Sequence, residues 1–198
     1  MGAARQVIDA VRVIVIVAVF TVHFIVLVVQ ANAWMDDKVE LSMLQASDID
    51  AARELVNEYV RSLDIDLSFQ GIEGELADFP SKYAEPDGAF LVAKDGDRVV
   101  GCVGLRKLDD GICEMKRLYV LDEYKGKGIG KELISAILAE AKAKGYGRMR
   151  LDTLHEMKAA RKLYSSFGFL EIEPYTFNPV EGAIFMEKDL GTVLWRGF

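Results

Sequence analysis

Residues 120–131 read Val120-Leu121-Asp122-Glu123-Tyr124-Lys125-Gly126-Lys127-Gly128-Ile129-Gly130-Lys131, a glycine-rich loop between an apolar strand pattern and a helical one. Glycines omit the Cβ that would keep a ligand away from backbone N–H groups. The helix that follows adds unpaired amides and the positive end of its dipole. Phosphate or pyrophosphate is the natural guest, and a plain tight turn capping the helix is the alternative for an isolated loop. Spacing excludes two phosphate-binding patterns. A Walker loop needs Gly where Lys125 stands and Ser or Thr where Glu132 follows Lys131. A dinucleotide fingerprint fails because Lys131 and Leu133 occupy the third glycine's place and the strand before the loop is expected to be antiparallel. What remains is a basic residue, two spacers, Gly, one spacer, Gly: Lys125, Gly128 and Gly130.

Working outward, Ala89 to Lys94, a turn at Asp95-Gly96 and Val99 to Lys107 predict a β-hairpin, and a turn at Asp109-Asp110-Gly111 leads into a third strand, Ile112 to Val120. Earlier, Val39, Leu41 and Met43 alternate as a strand does. Ser47 is placed to cap a helix carrying Ala52, Leu55, Val56, Tyr59, Val60 and Leu63 on one stripe. The stretch from Asp64 to Gly88 is irregular and reads as loop or short helix. After the glycine loop, Ile129, Leu133, Ile134, Ile137, Leu138 and Ala141 mark a helix ending at Gly145, followed by a strand from Arg148 to Thr153. Ala160, Leu163, Tyr164 and Phe167 mark a last helix, stopped at Gly168, and Phe169 to Ile172 and Ala183 to Glu187 close the chain as strands. The class is mixed α/β.

The chain has 198 residues, 51% of them hydrophobic, and a formal net charge of -7, which excludes disorder and argues against nonspecific nucleic-acid binding. With 2 Cys and 2 His, neither a disulfide framework nor a zinc site of soft ligands can be assembled, so no metal is expected. Cys102 and Cys113 read as ordinary strand cysteines, and His155 as an exposed residue ahead of the last helix.

Residues 1–34 form a hydrophobic leader, with an apolar run from Val13 to Val29, and residues 35–198 a single domain. The run spans only about 25 Å as a helix against roughly 30 Å of hydrocarbon. Counting on to Trp34 makes an anchor through residues 13–34 long enough. Arg5 and Arg12 before the run and Ala31-Asn32-Ala33 after it also suit a signal peptide. The third reading starts the native protein at Met35. Membrane contact is expected only if residues 7–29 are retained.

The Lys125-x-x-Gly128-x-Gly130 loop resembles the acyl-CoA loop of the GNAT superfamily of N-acetyltransferases, R/Q-x-x-G-x-G/A between a strand and a helix, with Lys125 departing mildly from the usual Arg or Gln. The resemblance covers Val39 to Leu190 and includes Ala160, Leu163, Tyr164, Gly168 and Phe169 in an Ala-x-x-Leu-Tyr-x-x-x-Gly-Phe pattern. The tail Pro174-Tyr175-Thr176-Phe177-Asn178-Pro179 looks like a small bacterial branch. The fold implied is a mostly antiparallel mixed sheet of about six or seven strands flanked by helices, splayed between the fourth and fifth strands. The activity implied is transfer of an acetyl group from acetyl-CoA to a primary amine, on a small molecule or on a peptide N-terminus or Lys, by direct attack in a ternary complex. A cytoplasmic enzyme is expected, and a homodimer is an assembly common in the family. A regulatory module that binds acyl-CoA without catalysis and a membrane-tethered interaction protein are the alternatives.

Attack by an amine requires loss of a proton, and the departing thiolate gains one. The resemblance assigns the base to Glu114, eleven residues before Lys125, and the acid to Tyr164. It assigns donor binding to Leu118, Tyr119 and Val120, through main-chain groups, and to Lys125, Gly126, Lys127, Gly128, Ile129, Gly130 and Lys131. Lys116 and Arg117 are grouped with Lys125, Lys127 and Lys131 as a local basic cluster. Tyr175 and Asn178, with the segment from Asp64 to Gly88, are expected at the acceptor pocket. Met157 stands where many members carry Asn.

Overall fold

The computed structural model describes residues 39–63, 65 and 68–191, so the leader, Lys38 and Asp64 lie outside the described residues. The strands are β1 (Glu40–Met43), β2 (Ala89–Asp95), β3 (Arg98–Asp109), β4 (Ile112–Val120), β5 (Arg148–Leu154), β6 (Leu170–Ile172) and β7 (Ala183–Asp189). They form one seven-stranded sheet in the order β1-β2-β3-β4-β5-β7-β6, antiparallel except where β4 meets β5. The helices are α1 (Ile49–Ser62), the short α2 (Ile72–Ala77), α3 (Ile129–Ala143) and α4 (Lys158–Ser166). Among the described residues no helix is long and apolar enough to cross a membrane.

Helices α1 and α3 pack on β3 and β4, which explains why the middle strands read as nearly unbroken apolar runs. The stripe foreseen on α3 is buried from Ile129 to Ala141, and Ala52, Leu55 and Val56 of α1 join the same core. One expectation at α1 fails. The helix starts at Ile49 with Asp48 in the cap position and no side-chain cap, and Ser47 lies in the 3-10 turn before it. The Asp48 carboxylate is drawn instead to Lys94 Nζ of β2 at 2.9 Å, and Ser47 Oγ donates to Asp48. An ion pair across to the sheet has displaced a local cap. The irregular stretch resolves into α2 between 3-10 turns.

Two irregularities of β4 position the site. Its register against β3 slips between the pairs Cys102/Tyr119 and Gly104/Lys116, leaving one extra residue in β4, and within that interval Arg117 adopts φ 58°. Such a bulge bends a strand and re-aims its side chains. On the other edge, β4 pairs with β5 only from Ile112/Arg148 to Glu114/Arg150. Beyond Glu114 the strands part, as expected for a splay between the fourth and fifth strands, and a cleft opens.

Candidate active site

Gly126 and Gly128 adopt φ 81° and 92°, which L side chains rarely tolerate, and Gly128 caps α3. Gly128 O accepts from Lys131 N at 2.9 Å and Glu132 N at 3.2 Å, closing the first turn. The amides from Gly126 to Gly130 donate to no acceptor among the described residues. A Cβ at Gly126 or Gly128 would meet no protein atom within 4 Å, so the absent side chains leave the surface open. Open amides at a helix N-terminus are groups to which an anion can be held. Lys125 pairs with Asp122 and lies 5.5 Å from the Tyr119 ring, and Lys127 lies 4.7 Å from the Tyr124 ring. Both cations are thereby held beside the loop, and Lys131 is exposed on the first turn of α3.

The expected basic cluster is split. Lys116 and Arg117 are buried in ion pairs and take no part in a surface patch. Lys116 Nζ lies 2.7 Å from Asp152 Oδ1 of β5. Arg117 grips Glu75 of α2 through Nε at 2.8 Å and Nη2 at 3.0 Å, and its Nη1 reaches Gln70 Oε1 at 3.2 Å. Tyr83 adds a hydroxyl bond to Glu75 at 2.8 Å, and Gly104 makes room for the Tyr83 ring, since a Cβ there would lie 2.5 Å from it. Burial by itself would raise the Glu75 pKa. The hydrogen bonds and charge of Arg117 outweigh that and hold it below its ordinary value. The guanidinium itself is raised, burial opposing and Glu75 prevailing.

Asp152, Gln70, Leu118, Asn178 and Tyr164 line the cleft where β4 and β5 part. Asp152 accepts from Asn178 Nδ2 at 3.0 Å and from Gln70 Nε2 at 3.4 Å besides Lys116. Against the desolvation of its carboxylate, Lys116 and Asn178 hold its pKa below the ordinary value. Asp152 went unforeseen, since a polar residue midway along β5 was the only sign of it and its partners are remote in the chain.

Glu114 is 1% exposed. Arg106 Nε donates to its Oε2 at 2.7 Å, the Tyr175 hydroxyl donates to Oε1 at 2.8 Å, and Lys116 Nζ stands 3.7 Å from Oε1. Tyr175 is itself clasped between Arg150, 5.2 Å from its ring, and Phe185, edge-on at 5.3 Å. Burial and the facing Glu114 push the Tyr175 phenol far above its usual pKa.

Tyr164 projects from α4, is 7% exposed and packs edge-on against Phe169 at 6.0 Å. Its hydroxyl makes no hydrogen bond among the described residues. Burial first, then the neighbouring Tyr59 and Asp152, raise its pKa, so it is a neutral phenol at physiological pH. Leu118 faces the cleft, whereas Tyr119 and Val120 are largely buried, and Tyr119 donates to Glu58 Oε1 at 3.1 Å. Met157 caps α4 in the cleft wall, and His155 is exposed. Both cysteines are buried, with thiols pushed up to about 12 mainly by desolvation, so neither is a ready nucleophile.

A sheet parted at its centre, with open amides on the strand–helix turn beside the parting, is a frame this chain shares with known acetyltransferase structures. Residues 52–169 match the Acetyltransferase (GNAT) family, and the chain belongs to it. An uncharacterized N-acetyltransferase of Schizosaccharomyces pombe is 40% identical over 145 residues, covering 72% of this chain and 89% of the relative. An acetyltransferase structure from Streptococcus agalactiae superposes with TM-score 0.65 at 22% identity, covering 77% of this chain and 99% of the other. The PaiA N-acetyltransferase of Thermoplasma acidophilum, solved in complex with coenzyme A, superposes with TM-score 0.59 at 21% identity over 77% and 99%.

Proposed function

We propose that the protein transfers an acetyl group from acetyl-CoA to a primary amine, the amine attacking directly while both substrates are bound. The observation that carries this reading is the run of unspent amides from Gly126 to Gly130 beside the parting of β4 and β5. Acetyl-CoA supplies an acyl group activated as a thioester and a pyrophosphate by which it can be held. The residues present suit it: the loop amides with Lys125, Lys127 and Lys131 take the diphosphate. Leu118, Tyr119 and Val120, on the stretch of β4 unpaired with β5, offer main-chain groups along the cleft. Family membership and the coenzyme A complex of the Thermoplasma neighbour support the same donor. Because acetyl-CoA is made and kept inside cells, the working compartment is the cytoplasm.

Tyr164 gives its proton to the departing thiolate. It is neutral, it faces the cleft, and its hydroxyl has no competing partner among the described residues. Glu114, which stands with Tyr175 behind the residues lining the cleft, takes up the amine's proton through water and the Tyr175 hydroxyl. Arg106 holds Oε2, so Oε1 is the oxygen left beneath the Tyr175 hydroxyl, which accepts a proton at its oxygen as it passes its own hydrogen to the carboxylate. Lys116, Asn178 and Gln70 orient Asp152 in the cleft wall.

The test is thiol release by the purified full chain with acetyl-CoA and a panel of amines. Release dependent on an amine is expected, and Glu114→Gln and Tyr164→Phe should each slow it by about 10²–10⁴-fold while coenzyme A still binds. Unchanged rates would remove both residues from the mechanism.

A further inference from the structure

We infer that Tyr59 is a further catalytic residue, its hydroxyl donating a hydrogen bond to the carbonyl oxygen of the thioester while Tyr164 serves the sulfur. The inference rests on the acetyl-transfer reading above and adds a group which that reading leaves out.

The polar side chains that line the cleft divide by what they are already bonded to. Lys116 and Asp152 are paired at 2.7 Å, Arg117 is held by Glu75, Asn178 and Gln70 donate to Asp152, and Thr153 donates to the Met157 sulfur at 3.7 Å. Two polar groups on that lining keep their hydrogens free. Among the described residues, neither the Tyr59 nor the Tyr164 hydroxyl has a hydrogen-bond partner. Nor is either oxygen sealed off, since the buried side-chain atoms left without a partner among the described residues belong to Asp48, Arg53 and Arg161. A donor left unpaired in a cleft bonds water until an acceptor on a ligand replaces it.

Tyr59 enters from α1, where the sequence shows it only as part of an apolar stripe. Its ring lies against that of Tyr119 on β4, centroids 5.2 Å apart and planes at 34°, and Lys125 of the glycine loop stands 5.5 Å from the same Tyr119 ring. Tyr119 is pinned in turn by its bond to Glu58, the residue before Tyr59. Tyr59 therefore lies along the strand that leads from the loop into the cleft. Tyr164 comes from α4, whose Leu163 lies 3.5 Å from the place a Cβ at Gly130 would take. The two phenols thus reach the donor's path from different helices. Burial first, opposed by Arg117 and reinforced by Asp152, raises the Tyr59 pKa, so the group keeps its proton and stays a donor.

A thioester under attack presents two atoms that gain electron density. As the amine nitrogen bonds to the carbonyl carbon, the π pair of the C=O bond moves onto oxygen. When that pair returns, the carbon–sulfur bond breaks and sulfur leaves with its electrons, taking the Tyr164 proton, while the amine's proton goes to Glu114 as above. Tyr59 loses no proton at any stage. It lends a hydrogen bond that strengthens as the oxygen becomes an oxyanion. Because Lys116 and Arg117 are committed to buried carboxylates, a neutral phenol can do this without stranding a charge.

The experiment compares the full-length protein with its Tyr59→Phe variant, which keeps the ring on Tyr119 and removes only the hydroxyl. Thermal midpoint and coenzyme A affinity should hold, while kcat falls by about hundredfold. Infrared difference spectra of acetyl-CoA isotopically labelled at the carbonyl carbon, bound without an amine, should show the carbonyl band at higher frequency in the variant, because the bond to its oxygen is lost. Tyr164→Phe should leave that band where it stands in wild type. A kcat equal to that of wild type, or a band unmoved by Tyr59→Phe, overturns this inference alone. Absence of thiol release by the wild type with every amine overturns the acetyl-transfer reading and this inference with it.

Discussion

At the end of the cleft proposed for the donor, the groups that would meet a ligand are main-chain amides of consecutive residues, Gly126 to Gly130. At the end proposed for the acceptor they are side chains gathered from far apart: Gln70 reaches Asp152 across 82 positions, Arg117 reaches Glu75 across 42, and Asn178 reaches Asp152 across 26. A backbone cradle needs the right φ and no Cβ, and it reads any diphosphate alike. A side-chain cage needs every partner present, and it is specific because it can fail at each one. The first plan suits a donor shared by many enzymes. The second suits an acceptor peculiar to one.

That contrast can be broken by substitution. Glu75→Gln leaves Arg117 buried without its counter-charge and should cost about 3–5 kcal/mol of stability at neutral pH, read as a large fall in thermal midpoint. The folded-state pKa of Glu75 is depressed, so its contribution is complete above the ordinary carboxylate value and is lost as pH falls through the lowered one. The gap between wild type and variant should therefore close in acid. A gap that stays constant would mean the pair is not coupled to folding as described.

Tyr164→Phe removes a hydroxyl that bonds to nothing among the described residues. Stability should hold while kcat falls by about hundredfold or more, so a drop in midpoint without a drop in kcat would make Tyr164 a packing residue. At the donor end, Gly128→Ala keeps a residue at φ 92° at a cost of about 1–2 kcal/mol, and its methyl group stands before the cradle. Coenzyme A binding should weaken about tenfold or more with the acceptor cage intact. The smallest effect is a control in neither region: Gly74 lies inside α2 with nothing within 4 Å of the place a methyl group would take, so Gly74→Ala should stabilise by about 0.5–1 kcal/mol and leave both binding ends unchanged.

The same contrast explains what could be read from the chain before its fold was known. The strands and helices were legible because each carries a strong period, as in Val39-x-Leu41-x-Met43 or the stripe from Ile129 to Ala141. The glycine loop was legible because its chemistry is written in consecutive residues. The acceptor cage was not. Lys116 and Arg117 looked like neighbours of the loop lysines, but the bulge in β4 carries Arg117 to α2, and the partner of Lys116 lies on β5. Ser47 failed as a cap for a similar reason, because Asp48 is claimed by Lys94 in a strand 46 residues away. Local chemistry was readable wherever tertiary partners did not compete for the same side chain. Tyr175 and Asn178 were expected at the acceptor pocket; Asn178 lines the cleft and Tyr175 does not, and the bonds they make, to Glu114 and Asp152, have no counterpart in sequence spacing.

The central claim is that the amides from Gly126 to Gly130 hold a diphosphate for acyl transfer in the parting of β4 and β5. Calorimetric titration of the purified chain with coenzyme A and, separately, with pantetheine, which lacks the diphosphate, tests it most directly. Coenzyme A should bind at least about hundredfold more tightly. Equal affinity for the two, or no heat with coenzyme A, would contradict it.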